Sequence, residues 1–294
     1  MSGKEGEDIR SRLKPDTTIK VRFQEDQPCR FVIGYWGIRG LAAPIRAMLS
    51  YAKVNHEVAL YDVKETGESG WSKDSWFDDK GWMKEELNPL MNLPFLVDCQ
   101  EGMVVNQSNA IMSYVGEELH LMGTTKKEKA LCLEMLCEVM DLRNVMVGFA
   151  YGTDGSSEKA QGLLKRSKGH FNKIGNHLKR KGDSEPFLVG KGATAPDFHL
   201  WEMLDQYMAL TKKFEMDSYW TEHEELKNYW EKFGDLHGYR ASFAHTSLPF
   251  NNPYAHFGNH PTPGKTYERG TETPWKGKAE ISESHSRKRK NDEE

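Results

Sequence analysis

The sequence predicts an α/β domain followed by an all-helical domain. Short apolar runs that suit strands occur only before Met122, where they alternate with helical segments. After Met122 the apolar residues recur at helical spacing alone. We therefore divide the chain into an extension expected to be disordered (1–29), an α/β domain (30–121), a helical domain (122–250) and a polar tail expected to be disordered (251–294).

The first domain has the predicted order β-α-β, long loop, β-β-α. The first two strands flank a helix, so they should run parallel with a right-handed crossover. Residues 63–80 are rich in Gly, Ser and charge, and we interpret them as a long functional loop because they also contain Trp71 and Trp76. The predicted elements are strands at 31–33, 58–62, 92–98 and 103–105, and helices at 41–53 and after Ser108.

The second domain carries two capping boxes, in which a Thr and an acid three residues later cap the same helix start. Thr125 and Glu128 open the first predicted helix, and Thr194 and Asp197 open a very apolar one expected at the centre of the domain. Residues 158–180 and 222–233 predict two further helices.

The two ends of the chain are polar. Residues 1–29 alternate charges around scattered apolar residues, and the segment after Pro249 is dominated by Pro, Gly, Asn and His. The basic run at residues 287–290 fits a nuclear-import signal, a motif that binds an anionic surface or, as we favour, a solvated tail.

Composition excludes several classes of function. With 40 Lys and Arg against 44 Asp and Glu, the chain lacks the clustered basic excess of a nucleic-acid-binding protein. We expect no membrane span, because there is no long uncharged apolar stretch, and no signal or transit peptide. The four cysteines lack a disulfide framework, so reduced thiols and a cytoplasmic location are expected. No metal is expected, since Cys132 and Cys137 diverge around a helix and HExxH is absent.

Two short segments allow both an ordinary and a functional interpretation. Tyr35 and Trp36 at the end of a buried strand are most often packing residues. Gln107 and Ser108 before a helix are most often an ordinary cap, but the free N–H groups at such a helix start also bind carboxylates. Each segment alone leaves the choice open.

Taken together, the motifs resemble a known family. GYWGIRGLAAPIR, NLPFLVD, NQSNAI and the TAPDF capping box follow one another as in the glutathione transferases, and most closely as in the mu class. The resemblance covers roughly residues 31–250. It implies a thioredoxin-like domain followed by an all-helical domain, and a detoxifying enzyme that joins the glutathione thiolate to hydrophobic electrophiles.

The resemblance assigns the catalytic residues. Tyr35 matches the family's catalytic tyrosine, whose hydroxyl donates a hydrogen bond to the glutathione sulfur and favours the thiolate. Tyr151 matches a second tyrosine that faces the electrophile and acts as an acid. Glutathione is then a co-substrate, and no cofactor is implied.

The remaining glutathione contacts follow from the same match. Trp36 and Leu41 should line the bed of the tripeptide, and Asn92 and Leu93 should contact its backbone beside a cis Pro94. Gln107 and Ser108 should hold the γ-glutamyl carboxylate, and Asp141 should meet the γ-glutamyl amine of the ligand in the neighbouring subunit of a homodimer. Lys73, Trp76 and Lys80 match the residues that surround the glycyl carboxylate.

The sequence also departs from the mu pattern. Lys73 stands where an arginine is expected, and Gly37 replaces an acidic or amide residue. The apolar residue that locks mu-type dimers falls near Leu90, in an altered context. Because the electrophile pocket matches poorly, two alternatives remain open: a non-catalytic glutathione-binding or structural protein, and a glutathione-dependent isomerase.

Overall fold

The structure is a computed structural model that describes residues 3–67, 70–182, 187–217, 222–234, 248–260 and 278–283. The helices are α1 (Gly3–Arg12), α2 (Ala43–Tyr51), α3 (Asp74–Glu86), α4 (Ser108–Glu118), α5 (Lys126–Gly152), α6 (Ser157–Lys181), α7 (Ala195–Lys213) and α8 (Glu224–Gly234). The strands are β1 (Thr17–Arg22), β2 (Phe31–Trp36), β3 (His56–Tyr61), β4 (Lys64–Thr66), β5 (Gly70–Ser72), β6 (Phe95–Asp98), β7 (Met103–Asn106) and β8 (Lys278–Glu283). A thioredoxin-like α/β part therefore precedes a helical part, as predicted.

The chain forms two compact units. The first contains Met1–Gly37, Val54–Asn106 and Gly277–Glu294, and the second contains Ile38–Lys53 and Gln107–Lys276. The strands and α1 and α3 belong to the first unit. Helices α2 and α4 belong by their contacts to the second, together with α5 to α8.

The first unit is built on a six-stranded sheet with the order β7-β6-β2-β3-β1-β8. Strands β2 and β3 are parallel, with Phe31 opposite His56 and Trp36 opposite Tyr61, which confirms the predicted β-α-β opening. The predicted hairpin is also present, since β6 and β7 pair in antiparallel register.

Tight packing at the centre of this sheet requires a glycine in β2. A Cβ atom added at Gly34 would lie 2.0 Å from the ring of Phe95 on the neighbouring strand β6. The flanking residues of β2 are apolar and buried, so the strand is covered on both faces as its unbroken apolar run predicted.

The prediction of disorder for residues 1–29 is wrong for residues 3–29, the part that the structure describes. Helix α1 packs on β6, and β1 pairs in antiparallel register with β3. Ile9, Ile19 and Val21 are buried, and the guanidinium of Arg10 forms an ion pair with Glu57. These few apolar residues order the segment because the edge of an existing sheet supplies partners that local periodicity does not show.

The prediction of disorder for residues 251–294 is wrong for the parts that the structure describes. The backbone N–H of Asn251 donates to the carbonyl of Gly258 at 2.8 Å, and Phe257 is buried 5.9 Å from the ring of Phe149. Residues 278–283 form β8, which pairs with β1. The basic run 287–290 lies outside the described residues.

The predicted long loop at 63–80 contains regular structure. Strands β4 and β5 form a small hairpin, and α3 begins within the segment at Asp74. Trp76 is buried in the core of the first unit, where it stacks on Phe95 and meets Tyr61 edge to face.

The second unit contains both predicted capping boxes. The Thr125 hydroxyl accepts the Glu128 N–H at 3.1 Å, while the Glu128 carboxylate accepts the Thr125 N–H at 3.0 Å. At the start of α7 the Asp197 carboxylate accepts both the N–H and the hydroxyl of Thr194. Helix α7 is buried along most of its length and packs against α2, α5 and α8, in the central position that its apolar sequence predicted.

Candidate active site

Tyr35 lies near the carboxyl end of β2, opposite Leu60 of β3. The residue is 5% exposed. Its hydroxyl has no hydrogen-bond partner among the described residues, and it is not one of the fully enclosed polar atoms. A buried ring with an accessible, unpaired O–H is the arrangement that a hydrogen-bond donor to a ligand requires.

Trp36 follows as the last residue of β2 and is half-buried against the core of the first unit. The next residue, Gly37, donates its N–H to the carbonyl of Tyr61 at 3.0 Å. This bond extends the ladder past the strand end and fixes the backbone that carries Tyr35 and Trp36. Leu41 is half-buried in the second unit, just before α2.

Helix α3 carries Trp76 and Lys80 and begins directly after Lys73, its N-cap residue. The ammonium of Lys80 lies 5.9 Å from the Trp76 ring centroid. Although Trp76 is 2% exposed, its indole Nε1 is not fully enclosed and has no hydrogen-bond partner among the described residues. The structure therefore places an N–H donor without a hydrogen-bond partner among the described residues near a cation on α3.

Asn92, Leu93 and Pro94 lead into β6. The Leu93–Pro94 peptide bond is cis, as predicted. Asn92 is exposed, Leu93 is half-buried and Pro94 is buried. The backbone N–H of Asn92 donates to Oδ1 of the buried Asn106 at 3.2 Å, a positioning contact that the sequence analysis missed.

Gln107 and Ser108 form the start of α4 in the second unit. Gln107 is the N-cap and adopts φ 69° and ψ 118°, a conformation that favours glycine. Its side chain is exposed, whereas Ser108 is buried at the first helical position. Non-glycine residues held in such backbone conformations concentrate at ligand sites, so the geometry favours binding over an ordinary cap.

Asp141 and Tyr151 lie on α5, also in the second unit. Asp141 is exposed, whereas Tyr151 is half-buried beside the segment 248–260. The Tyr151 hydroxyl accepts the backbone N–H of Asn252 at 2.8 Å, and its ring lies 5.5 Å from that of Tyr254. This packing against residues that the sequence predicted to be disordered gives Tyr151 a structural contact that was not foreseen.

Arg39, the arginine of the GYWGIRGL motif, was not assigned a role from the sequence. Its buried guanidinium donates to Glu202 at 2.9 and 2.7 Å and to Asp205 at 2.6 Å, and it lies 4.1 Å over the ring of Phe250. Its partners on α7 are remote in sequence, so no local signal could have revealed this cluster. Arg39 is therefore a structural residue of the second unit.

Three of the four cysteines are buried, and only Cys137 is exposed. All four are free, and Cys29, Cys99 and Cys132 are buried. Burial raises the pKa of Cys99 to about 12 and that of Cys132 to about 11, so both are thiols at neutral pH. In the described part of the chain no group of three His, Cys, Asp or Glu side chains could hold a metal ion. None of its helices has the length and apolar character to cross a bilayer.

Comparison with known proteins identifies the family. The sequence model of the glutathione S-transferase N-terminal domain matches residues 31–117, and that of the C-terminal domain matches residues 140–239. Glutathione S-transferase Mu 3 of Homo sapiens is 30% identical over 235 residues, which cover 78% of this chain and 96% of that protein. Glutathione S-transferase Mu 1 of Rattus norvegicus is 29% identical over 179 residues, or 60% of this chain and 75% of that protein.

Solved structures share the fold. The glutathione S-transferase Blo t 8 superposes with a TM-score of 0.65 at 23% identity, covering 77% of this chain and 99% of that one. The fold and the two matched domains define a glutathione S-transferase. The chain belongs to the glutathione S-transferase family and is similar to members of its mu class.

Proposed function

We propose that this protein is a mu-like glutathione transferase that joins the thiolate of reduced glutathione to hydrophobic electrophiles. The observation that carries the proposal is the hydroxyl of Tyr35 near the end of β2, which is not fully enclosed and has no hydrogen-bond partner among the described residues. It stands in a chain whose family is defined by glutathione chemistry.

The Tyr35 hydroxyl acts on the sulfur of bound glutathione. By donating a hydrogen bond to the thiolate it lowers the pKa of the thiol, whose proton leaves to solvent. The thiolate then forms a carbon–sulfur bond with the electrophile. In a substitution the leaving group departs with its electron pair, and in an addition the resulting carbanion takes up a proton. Tyr35 remains a hydrogen-bond donor throughout and forms no covalent intermediate.

The γ-glutamyl end of glutathione binds at the start of α4. The first N–H groups of a helix are unpaired within it, and the helix dipole places partial positive charge there, which suits a carboxylate. Gln107 contributes its exposed side chain and an unusual backbone conformation, and Ser108 contributes its hydroxyl.

The other matched residues serve the rest of the tripeptide. Trp76 supplies its Nε1 donor and Lys73 and Lys80 supply charge for the glycyl carboxylate, while Leu93 makes main-chain hydrogen bonds to the central cysteine. Asn92 contacts the tripeptide backbone, and Trp36 and Leu41 line its bed. Glutathione is the co-substrate in this scheme, and no other cofactor takes part.

The protein acts as a homodimer in the cytoplasm. Leu90 is 73% exposed and Phe77 58% exposed, and exposed apolar side chains of this size suit a subunit contact. The apolar residue that locks the dimer falls near Leu90, and Asp141 meets the γ-glutamyl amine of the ligand in the neighbouring subunit. The free cysteines are in keeping with a reducing compartment.

A second candidate function is binding of glutathione without conjugation. The sequence favours it, because the electrophile pocket and the two ends of the chain match the family poorly. A glutathione-dependent isomerase would share the site but would consume no glutathione.

Two assays on the same preparation separate these functions. The transferase binds immobilised glutathione and conjugates a panel of aryl halides and enones. Retention on the resin without conjugation favours the binding protein, and substrate rearrangement without loss of glutathione favours the isomerase. A protein that neither binds glutathione nor turns over any of these substrates would refute all three functions.

A further inference from the structure

The segment from Arg12, the last residue of α1, to Asp16, just before β1, runs along one face of α3, the helix that follows Lys73 and carries Trp76 and Lys80. Its contacts on α3 fall on Ser75, Asp79, Trp82 and Glu86. Residues at this spacing lie in a single stripe along a helix. The segment therefore runs parallel to the helix axis along this stripe. It lies outside the part of the chain that matches the family's N-terminal domain model, which begins at residue 31.

Asp16 occupies the amino-terminal end of this stripe. Its carboxylate accepts the Ser75 hydroxyl at 2.5 Å, the backbone N–H of Asp62 at 2.8 Å and the ammonium of Lys64 at 2.6 Å. Burial acts to raise the pKa of Asp16, but these three donors outweigh it and hold the pKa below its usual value. One carboxylate thus joins the end of β3, the β4–β5 hairpin and the first turn of α3.

Two further contacts hold the middle and the far end of α3. The backbone N–H of Lys14 donates to the buried Asp79 at 2.7 Å, and the other donor to the same oxygen is the Tyr61 hydroxyl at 2.8 Å. Arg12 pairs with Glu86 at 2.8 Å and lies 3.9 Å over the ring of Trp82. Because Asp79 and Arg12 act further along α3, Asp16 has the most direct connection to Lys73 and Trp76.

We infer that Asp16 is a positioning residue for the glycyl end of the glutathione site, an inference that rests on the proposed function. Ser75 is adjacent to Trp76 and two residues after Lys73, so its bond to Asp16 holds the helix start from which both side chains project. Lys64 and Asp62 hold the connection that leads into this start. A cation and an N–H donor bind a carboxylate well only where their backbone is kept in place.

The test compares Asp16→Ala with the wild-type protein, using glutathione and its glycine ethyl ester, which lacks the glycyl carboxylate. Asp16→Ala should raise KM for glutathione about tenfold, because a charge-assisted contact becomes misaligned. The kcat at saturating glutathione and KM for the electrophile should stay within about twofold, since Tyr35 is untouched. The ester should bind wild type and variant equally, because the contact that Asp16 supports is already missing.

The matched control is Asp26→Asn, which changes an exposed acid of the same N-terminal segment and should leave both KM values unchanged. If Asp16→Ala fails to fold, Ser75→Ala removes one of the three bonds and should give a smaller shift of the same pattern. An unchanged KM for glutathione in Asp16→Ala, or an equal rise in KM for glutathione and for its ester, would overturn the inference. A wild-type protein that binds no glutathione would instead refute the proposed function.

Discussion

The guanidinium of Arg39 holds the carboxylate of Glu202 through two parallel hydrogen bonds, from Nε to Oε1 at 2.9 Å and from Nη2 to Oε2 at 2.7 Å. Both side chains are buried, and Nη2 also donates to the buried Asp205. This cluster ties the segment before α2 to the central helix α7 within the second unit. Removing the cation would take away the positive charge that compensates two buried carboxylates.

Replacing Arg39 by Leu should therefore lower the free energy of unfolding by about 3–5 kcal/mol, as expected when one partner of a buried ion pair is removed. Arg39→Lys should retain only part of this free energy, because an ammonium cannot make the two parallel hydrogen bonds of a planar guanidinium. Urea unfolding followed by circular dichroism measures the loss. Lys129→Ala breaks the exposed pair with Glu117 and should change stability little. Equal effects of the buried and the exposed change would contradict this account of Arg39.

Acid should destabilise the protein through His199. Burial, assisted by Arg143 and opposed by Glu202, lowers the pKa of His199 to about 3. Neither ring nitrogen has a hydrogen-bond partner among the described residues. Between pH of about 6.5 and 3 the unfolded chain binds a proton that the folded protein does not, so stability falls as pH falls, by up to roughly 1.4 kcal/mol per pH unit.

His199→Leu should make the curve of stability against pH flatter over that window. Urea unfolding at neutral pH and at a pH of about 5 provides the comparison. His256→Leu, at an exposed histidine, should leave the wild-type slope unchanged. If His199→Leu loses as much stability on acidification as the wild type does, groups other than His199 cause that loss.

Tyr151→Phe should loosen the segment 248–260. The change removes the acceptor of the Asn252 N–H, so that amide should exchange its hydrogen with solvent faster, as hydrogen-exchange mass spectrometry detects. If Tyr151 also acts as an acid, additions to enones should slow more than substitutions of aryl halides. Tyr254→Phe, which changes the neighbouring ring, should affect exchange less, because its hydroxyl takes a longer bond of 3.4 Å from the Asn252 side chain. Unchanged exchange in Tyr151→Phe would rule out the structural role.

Leu90→Asp should shift the proposed homodimer toward monomers. A carboxylate at the centre of an apolar contact loses its hydration without gaining a partner, which weakens association. Sedimentation equilibrium over a range of protein concentrations measures the shift. Gln100→Asp adds the same charge at an exposed turn and should leave the association constant unchanged. A Leu90→Asp protein that stays fully associated would show that the contact lies elsewhere.

Sequence reasoning succeeded where a structure depends on neighbouring residues. The capping boxes at Thr125 and Thr194 were predicted because each is complete within four residues. The parallel pairing of β2 and β3 followed from their order along the chain, and the cis bond before Pro94 followed from the family resemblance.

The errors arose where distant parts of the chain decide the outcome. Strand β1 contains few apolar residues, and its order depends on pairing with β3 and β8, which no local pattern reveals. Arg39 and Glu202 lie 163 positions apart, so no local sequence pattern predicts their ion pair either. A positive φ could not be predicted at Gln107, because glutamine rarely adopts one. Asn106 and Asp16 were identified as positioning residues only from the atoms that they contact.

The central claim is that Tyr35 activates the thiol of glutathione. The most direct measurement compares wild type with Tyr35→Phe, using calorimetric binding of glutathione and the rate of its conjugation to an aryl halide. The account predicts an affinity within about twofold of wild type and a turnover lower by on the order of a hundredfold. Turnover in Tyr35→Phe equal to that of the wild type would contradict the claim.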